Sequence, residues 1–199
     1  GDTFAGPMQK LGDNTIIHNR RLRGNQGNRV AAVSAEDGQP KWETDLGVPV
    51  KLLHRTSNNQ VDAVTTSAMV FSLDQQLYYS TADANPGSGR SFMNFQSPIY
   101  LTSSVALMFN ASRANQFAVY ADRERGNKLM LLSANFGSGK PTCDPLPVGR
   151  NVAVGLDNGQ LNLFDPRNGS AAATAYQPPV QAGQKVRWNT PVYLEDSQS

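Results

Sequence analysis

The chain has 199 residues, 17% of them charged and 39% hydrophobic, and its 18 Lys and Arg against 16 Asp and Glu leave a formal charge of +2. That balance excludes a highly charged disordered tail and supplies no electrostatic footprint for nucleic acid or an anionic membrane surface. No apolar run reaches the roughly 20 residues of a membrane-spanning helix, and Cys143 is the single cysteine, so neither an internal disulfide nor a thiolate metal cluster can form.

In chain order, strand-like runs fall at 14–19, 29–35, 40–46, 48–55, 61–66, 68–73, 76–81, 91–95, 99–109, 116–121, 128–134, 151–156, 160–164, 171–176 and 185–194. They have strand rather than helix length and are rich in Val, Ile, Leu, Phe and Tyr, which suit a pleated, half-buried surface. No stretch sustains apolar residues at i, i+3, i+4 and i+7, so helix content is expected to be very low. The 17 Gly and 12 Pro are scattered between the runs, which spreads turns along one body instead of marking one linker. Segments 86–90 and Gly137-Ser-Gly139 are read as inter-strand loops.

The clearest hairpin is Val152-Ala-Val-Gly-Leu156, Asp157-Asn-Gly159, Gln160-Leu-Asn-Leu-Phe164, in which Asn158 and Gly159 are expected to supply the positive φ angles of a tight turn. A second turn, Asp165-Pro-Arg-Asn-Gly169, combines a preset Pro φ with a Gly that completes the reversal.

The residues point away from several chemistries. His18 and His54 are the only histidines and form no His-x-His or Cys-x-x-Cys pattern, so both are read as strand or loop residues rather than ligands. No Gly-x-Ser-x-Gly elbow is present for a serine nucleophile. Gly137-Ser-Gly-Lys140 lacks the spacing of a phosphate loop and a following helix, and Asp157-Asn-Gly159 lacks the later ligands of a calcium loop. The basic knot Arg20-Arg-Leu-Arg23 is read as a solvated turn or edge. Tyr78, Tyr79, Tyr100 and Tyr120 are candidates for an exposed contact face, although strand tyrosines more often pack across strands.

The chain also compares with itself. Val30-Ala-Ala-Val-Ser-Ala-Glu-Asp-Gly38 followed by Lys41-Trp42, and the segment from Asn151 to Gly169, are the two clear copies of a unit. Val70-Phe-Ser-Leu-Asp74 and Leu129-Met-Leu-Leu-Ser-Ala-Asn-Phe-Gly137 are read as weaker copies; this places Gly38, Gly137 and Gly169 at uneven spacings of 99 and 32 residues. The first copy resembles the phrase "strand, Ala-x-Asp-x-x-x-Gly-x-x-x-Trp" of quinoprotein-like β-propeller blades, and the last resembles the neighbouring phrase ending Leu-x-Leu-Phe-Asp-x-x-x-Gly. Ser34 and Ser133 stand where the family often has Asp, and Trp42 matches its Trp, whereas Trp188 is assigned to a strand opening a following blade.

The resemblance implies an all-β chain of β-propeller-type repeats of short antiparallel strands, about four blades, possibly an incomplete propeller, over 10–195. Residues 1–9 would be an N-terminal tail, with Gly1 a processing scar, and 196–199 a C-terminal tail. Gly38, Trp42, Asp157, Gly159, Asp165 and Gly169 are then structural repeat residues; no catalytic, cofactor-binding or metal-ligating residue is assigned, and no cofactor is expected. The function implied is a non-enzymatic protein-binding or scaffold module, part of a longer bacterial protein, whose partner is another protein, the remaining blades of a longer propeller or a second copy in a homodimer. The family also contains quinone-dependent oxidoreductases holding pyrroloquinoline quinone and calcium, and a fragment of one is an alternative; a carbohydrate-binding propeller with Trp42 or Trp188 in a groove is another. A periplasmic or extracytoplasmic setting follows from the resemblance alone.

Overall fold

Runs of β-branched, aromatic and aliphatic residues broken every few positions by Gly, Asn, Asp and Ser can bury apolar surface only as short strands reversing at tight turns. The computed structural model of the chain describes residues 3–25, 27–74, 80–82, 94–124, 127–137, 139–179, 186–189 and 192. In sheet 1, β1 (Thr3–Phe4) and β2 (Gln9–Lys10) both pair with β3 (Thr15–Arg21), which is followed by β4 (Asn28–Ser34) and β5 (Pro40–Leu46). Sheet 2 runs β6 (Val50–Arg55), β7 (Val61–Thr65), β8 (Val70–Leu73), β9 (Ser80–Ala82). Sheet 3 runs β10 (Ile99–Thr102), β11 (Val105–Asn110), β12 (Arg113–Ala121), β13 (Leu129–Ser133), and sheet 4 runs β14 (Leu146–Val148), β15 (Asn151–Gly155), β16 (Leu161–Phe164). From β3 onward, neighbours in sequence are neighbours in each sheet, and the ladders are antiparallel. The one helical turn among the described residues is a short 3-10 piece, Arg23–Asn25.

The chain divides into two compact units, Gly1–Pro98 with Tyr120–Met130, and Ile99–Val119 with Leu131–Ser199. In the first, Leu11, Ile17, Val30, Leu53, Val61 and Leu73 form one apolar core, against which Trp42 and Phe71 pack. Each such aliphatic side chain contributes about 1.5–3 kcal/mol by leaving water. In the second, Phe109, Phe117, Phe136 and Phe164 meet in tilted and edge-on pairs with ring centroids 5.1–6.2 Å apart, the geometry favoured by the ring quadrupoles. The inner strand β7 is buried at every position, whereas β5 and β10 alternate or face solvent. A strand covered on both faces has no polar face to show, which is why Val61-Asp-Ala-Val-Thr65 does not alternate.

Three loops reverse the chain with the same device. Thr56 and Gln60, Thr65 and Met69, and Leu156 and Gln160 close three-residue loops through N–H to carbonyl bonds of 2.8, 2.9 and 2.8 Å. The third loop residue is left-handed in each, Asn59 at φ 57°, Ala68 at 59° and Gly159 at 83°. This is a type I turn followed by a bulge residue. It corrects the expectation for the hairpin of sheet 4: Gly159 alone takes a positive φ, while the Asn158 side chain accepts the Gln160 N–H at 3.1 Å.

Several strand boundaries also differ. The run 99–109 is two strands, because Ser103 and Ser104 turn the chain and the Thr102 hydroxyl accepts the Ser104 N–H at 3.2 Å. The run 171–176 makes only bridges, Phe164 to Ala171 and Leu161 to Tyr176. Four residues lie between Ala171 and Tyr176 and two between Leu161 and Phe164, so the surplus bulges out of the ladder. β14 carries no strand signal in the sequence because Pro147 sits in it; β14 is an edge strand, where a missing N–H breaks no ladder bond. Val186–Asn189 is not strand, so the assignment of Trp188 to a strand does not hold there. The rest of the runs 185–194, 76–81 and 91–95, apart from Val192, residues 80–81 in β9, and Asn94 and Phe95, lie outside the described residues, as do loop 86–90 and tail 196–199. At the N-terminus, Thr3 and Phe4 pair with Arg21 and Arg20.

The repeat has a different phase from the one expected. Gly38 and Gly169 end matching four-residue loops, the first after β4, third in the order β1-β3-β4-β5, and the second after β16, third in sheet 4: Gly38 N–H bonds Ser34 O at 3.0 Å, and Gly169 N–H bonds Asp165 O at 2.8 Å. Val70–Asp74 falls on and just beyond β8, also a third strand, in phase with them. The copy at 129–137 falls on β13, a fourth strand, and is out of phase. In sheet 3 the third strand is β12, after which the sequence reads Asp122-Arg-Glu-Arg-Gly126, with the same spacing as Asp165 to Gly169. Asp122, not Ser133, is therefore the equivalent of Asp165. Gly126 itself is outside the described residues, yet in sequence it turns the intervals into 88 and 43 residues; with sheet 2 lying between, the longer interval is two repeats.

Candidate functional site

Two polar constellations stand out, one in each unit. The first is built on register. His54 of β6 lies opposite Asp62 of β7, and Asp62 lies opposite Ser72 of β8. Asp62 is 0% exposed, and its carboxylate accepts the Ser72 hydroxyl at 2.5 Å, the Tyr120 hydroxyl at 2.6 Å and the Lys128 ammonium at 2.7 Å. Lys128 also donates to Ser72 Oγ at 3.3 Å. The His54 ring tilts against Tyr120 with centroids 5.2 Å apart.

These are the residue types of a hydrolytic triad, but the bonding is wrong for one. A nucleophilic hydroxyl must give its proton to the imidazole; here Ser72 gives it to the carboxylate. Three donors on two oxygens instead compensate the desolvation of a buried charge, so the cluster ties β7 and β8 to the turn end of the β12–β13 hairpin. Burial pushes the His54 imidazole below its ordinary value, with Asp122 and Asp62 opposing and Lys128 adding to the shift. Tyr120, expected as a candidate contact residue, is fully buried in this cluster, whereas Tyr100 on β10 is exposed; Tyr78 and Tyr79 are outside the described residues.

The second constellation is a cleft of about 720 Å³ where the β11–β12 turn faces the chain leaving β13. Arg113 and Lys140 bring two cations to it, and Ser112, Asn115, Ser133 and Asn135 bring neutral hydrogen-bonding groups. Among the described residues, the lining includes no carboxylate. The nearest acid in the bonding pattern is Asp157, which accepts the Lys140 backbone N–H at 2.9 Å. The Ala134 N–H bonds the Asn115 carbonyl at 2.9 Å, which fixes the two walls together. Phe136, also in the lining, is buried and edge-on to Phe164 at 5.9 Å.

The repeat residues take structural places. Gly38 and Gly169 have φ of 72° and 77°; Gly38 stands in open space, while a Cβ on Gly169 would run into the Ser133 carbonyl. Asp165 caps its loop by accepting the Arg167 backbone N–H at 2.8 Å, and bonds from the Arg167 side chain and backbone hold its carboxyl down to about 2. Trp42 is opposite Ala32 on β4 and packs on the core of the first unit. Trp188 lies over Gly155, whose missing side chain makes room for the indole. Asp157 and Gly159 sit in the sheet 4 hairpin, where the former holds the segment leading out of the cleft. Of these, Asp157 bonds the cleft residue Lys140, and Gly169 stands against the backbone of Ser133, another cleft residue.

His18 is buried beside the edge of the Phe4 ring, centroids 5.1 Å apart, and Cys143 is a half-buried lone thiol whose pKa burial raises. Sequence reading missed the cleft. Lys140 drew notice only within Gly137-Ser-Gly-Lys140, and the backbone N–H groups of Gly137, Gly139 and Lys140 are taken by Asn135 Oδ1, Phe136 O and Asp157 Oδ1, so no phosphate-binding nest forms from them.

No protein-family model matches the chain, and no curated protein matches it. Solved structures do. Kluyveromyces lactis Hsv2p is 12% identical, with a TM-score of 0.51 over 88% of this chain and 52% of that one. BamB from Moraxella catarrhalis is 17% identical, with a TM-score of 0.47 over 82% and 47%. The computationally designed Ika8 protein is 13% identical, with a TM-score of 0.49 over 85% and 48%. Short-stranded antiparallel sheets in sequence order, together with the likeness to Hsv2p, a propeller, make this an all-β chain of β-propeller type. The chain spans about half the length of the solved structures it resembles.

Proposed function

We propose that the chain is a protein-binding or scaffold module made of quinoprotein-like blades, which works within a longer propeller. The observation that carries this reading is the pairing of a saturated, structural polar core with an open, loop-built cationic cleft: the Asp62 cluster spends its ionisable groups on holding strands, while Arg113 and Lys140 face a volume a ligand can enter. Support for further blades comes from the four sheets matching only about half of a propeller such as Hsv2p. The extracytoplasmic setting belongs to the same proposal and rests on the repeat resemblance. For the carbohydrate alternative, both indoles are half-buried on their own units, Trp42 on the apolar core and Trp188 on Gly155, which leaves only part of each ring for a groove.

The test is purification of the full-length product from its own cells after mild crosslinking, alongside calorimetry with pyrroloquinoline quinone and calcium. A protein partner in fixed ratio and no heat with the quinone support the module. A strictly monomeric product without partner, or saturable quinone binding, overturns it.

A further inference from the structure

We infer that the cleft of the second unit receives an extended acidic peptide segment of a partner protein, held by Arg113 and Lys140. The inference rests on the module reading and specifies its ligand. Two cationic residues line about 720 Å³ of open space with no carboxylate among the described lining residues, although the chain as a whole is nearly neutral. Neither cation has a carboxylate within ion-pairing distance among the described residues, whereas Arg20, Arg29, Lys128 and Arg167 all do. Fields of one sign in a concave site select ligands of the other.

The remaining chemistry narrows the class. A compact phosphate is best met by converging backbone N–H groups, and those of Gly137, Gly139 and Lys140 are already bonded within the protein. A sugar ring is best met by an exposed aromatic face, and Phe136, the one aromatic in the described lining, is 5% exposed with its ring against Phe164. What stays available is a row of side-chain donors: the guanidinium of Arg113, the ammonium of Lys140, the hydroxyls of Ser112 and Ser133, and the amides of Asn115 and Asn135. Donors spread along an open cleft suit carboxylates spaced along a peptide, with the amides and hydroxyls taking its backbone.

The experiment measures binding of a fluorescent peptide alternating Glu with Ser, by anisotropy, to the intact chain. The comparisons are a Gln-for-Glu peptide, oligogalacturonate and inorganic phosphate. Binding of the Glu peptide is expected to exceed that of the Gln peptide, to weaken with salt, and to fall roughly tenfold or more in Arg113→Glu with Lys140→Glu. The milder pair Arg113→Gln with Lys140→Gln loses part of it, and circular dichroism and melting confirm that both pairs fold. Equal binding of the Glu and Gln peptides, binding indifferent to the folded variants, or binding of oligogalacturonate or phosphate without the peptide overturns the inference. If a partner still co-purifies with the charge-reversed pair, the cleft is not its site and the module reading stands; if no partner co-purifies with the unaltered protein, that reading itself fails.

Discussion

At the scale of single residues, two loop glycines, Gly159 and Gly169, separate by what surrounds them. Gly159 and Gly169 both need a left-handed φ, which costs an L side chain about 1–2 kcal/mol. Gly169 carries a second constraint, since the Ser133 carbonyl occupies the place of a Cβ, whereas a Cβ on Gly159 meets only side-chain atoms at 3.3–3.4 Å. Gly169→Ala is therefore expected to destabilise the protein by about 3 kcal/mol or more and Gly159→Ala by about 1–2 kcal/mol, read from urea midpoints. The left-handed position of both was legible in sequence, because Asp-x-x-x-Gly and Asn-Gly are turn chemistry. The contact with Ser133 was not, since 36 residues separate the two. Ser34, where the family often has Asp, also becomes intelligible: its hydroxyl accepts the Glu36 N–H at 3.3 Å and donates to Asn14 Oδ1 at 3.2 Å, a donation that a carboxylate cannot make.

At the scale of elements, the Asp62 cluster is a brace whose parts depend on each other. Lys128→Met leaves a fully buried carboxylate without its cation and is expected to cost about 3 kcal/mol. In a double-mutant cycle with Asp62→Asn, the pair is expected to cost less than the sum of the singles by about 1–3 kcal/mol; strict additivity in denaturant melts would show that the two residues do not communicate. The buried histidines add a pH dependence. Burial lowers both His18 and His54 from their ordinary 6.5, so the unfolded chain binds more protons in the window below that value, and stability falls as pH drops through it. The loss is complete once pH lies below the folded-state values. Melts between about pH 7.5 and 5 should show it, and His54→Gln should remove part of the slope.

The same scale shows why the middle of the chain was hard to read. The third-strand phase is written in Asp122-Arg-Glu-Arg-Gly126, but this charged loop follows a strand, Phe117-Ala-Val-Tyr-Ala121, whose burial erases the alternating signature of a half-exposed strand. The apolar run Leu129-Met-Leu-Leu132 next to it has the stronger pattern of a repeat core, which displaces the expected phase by one strand. Inner strands read as continuous apolar runs whichever sheet they belong to, so their order has to come from the turns.

At the scale of the molecule, the all-β class and the succession of short antiparallel strands follow directly from strand-length runs with turn residues between them. The cleft could not be read that way. Its cations lie 27 residues apart, at the start of β12 and on a connecting loop, with no spacing rule to join them until β11, β12 and β13 are in place. The central claim, a binding module that engages an acidic segment through this cleft, is tested most directly by mapping the bound peptide on the folded chain. In a ¹H–¹⁵N titration with the Glu-Ser peptide, the amide signals of Arg113, Asn115, Asn135 and Lys140 are predicted to shift together and saturate, while those of Asp62, Ser72 and Tyr120 in the buried brace stay in place. Shifts absent from the cleft, or confined to other surfaces, would contradict the account.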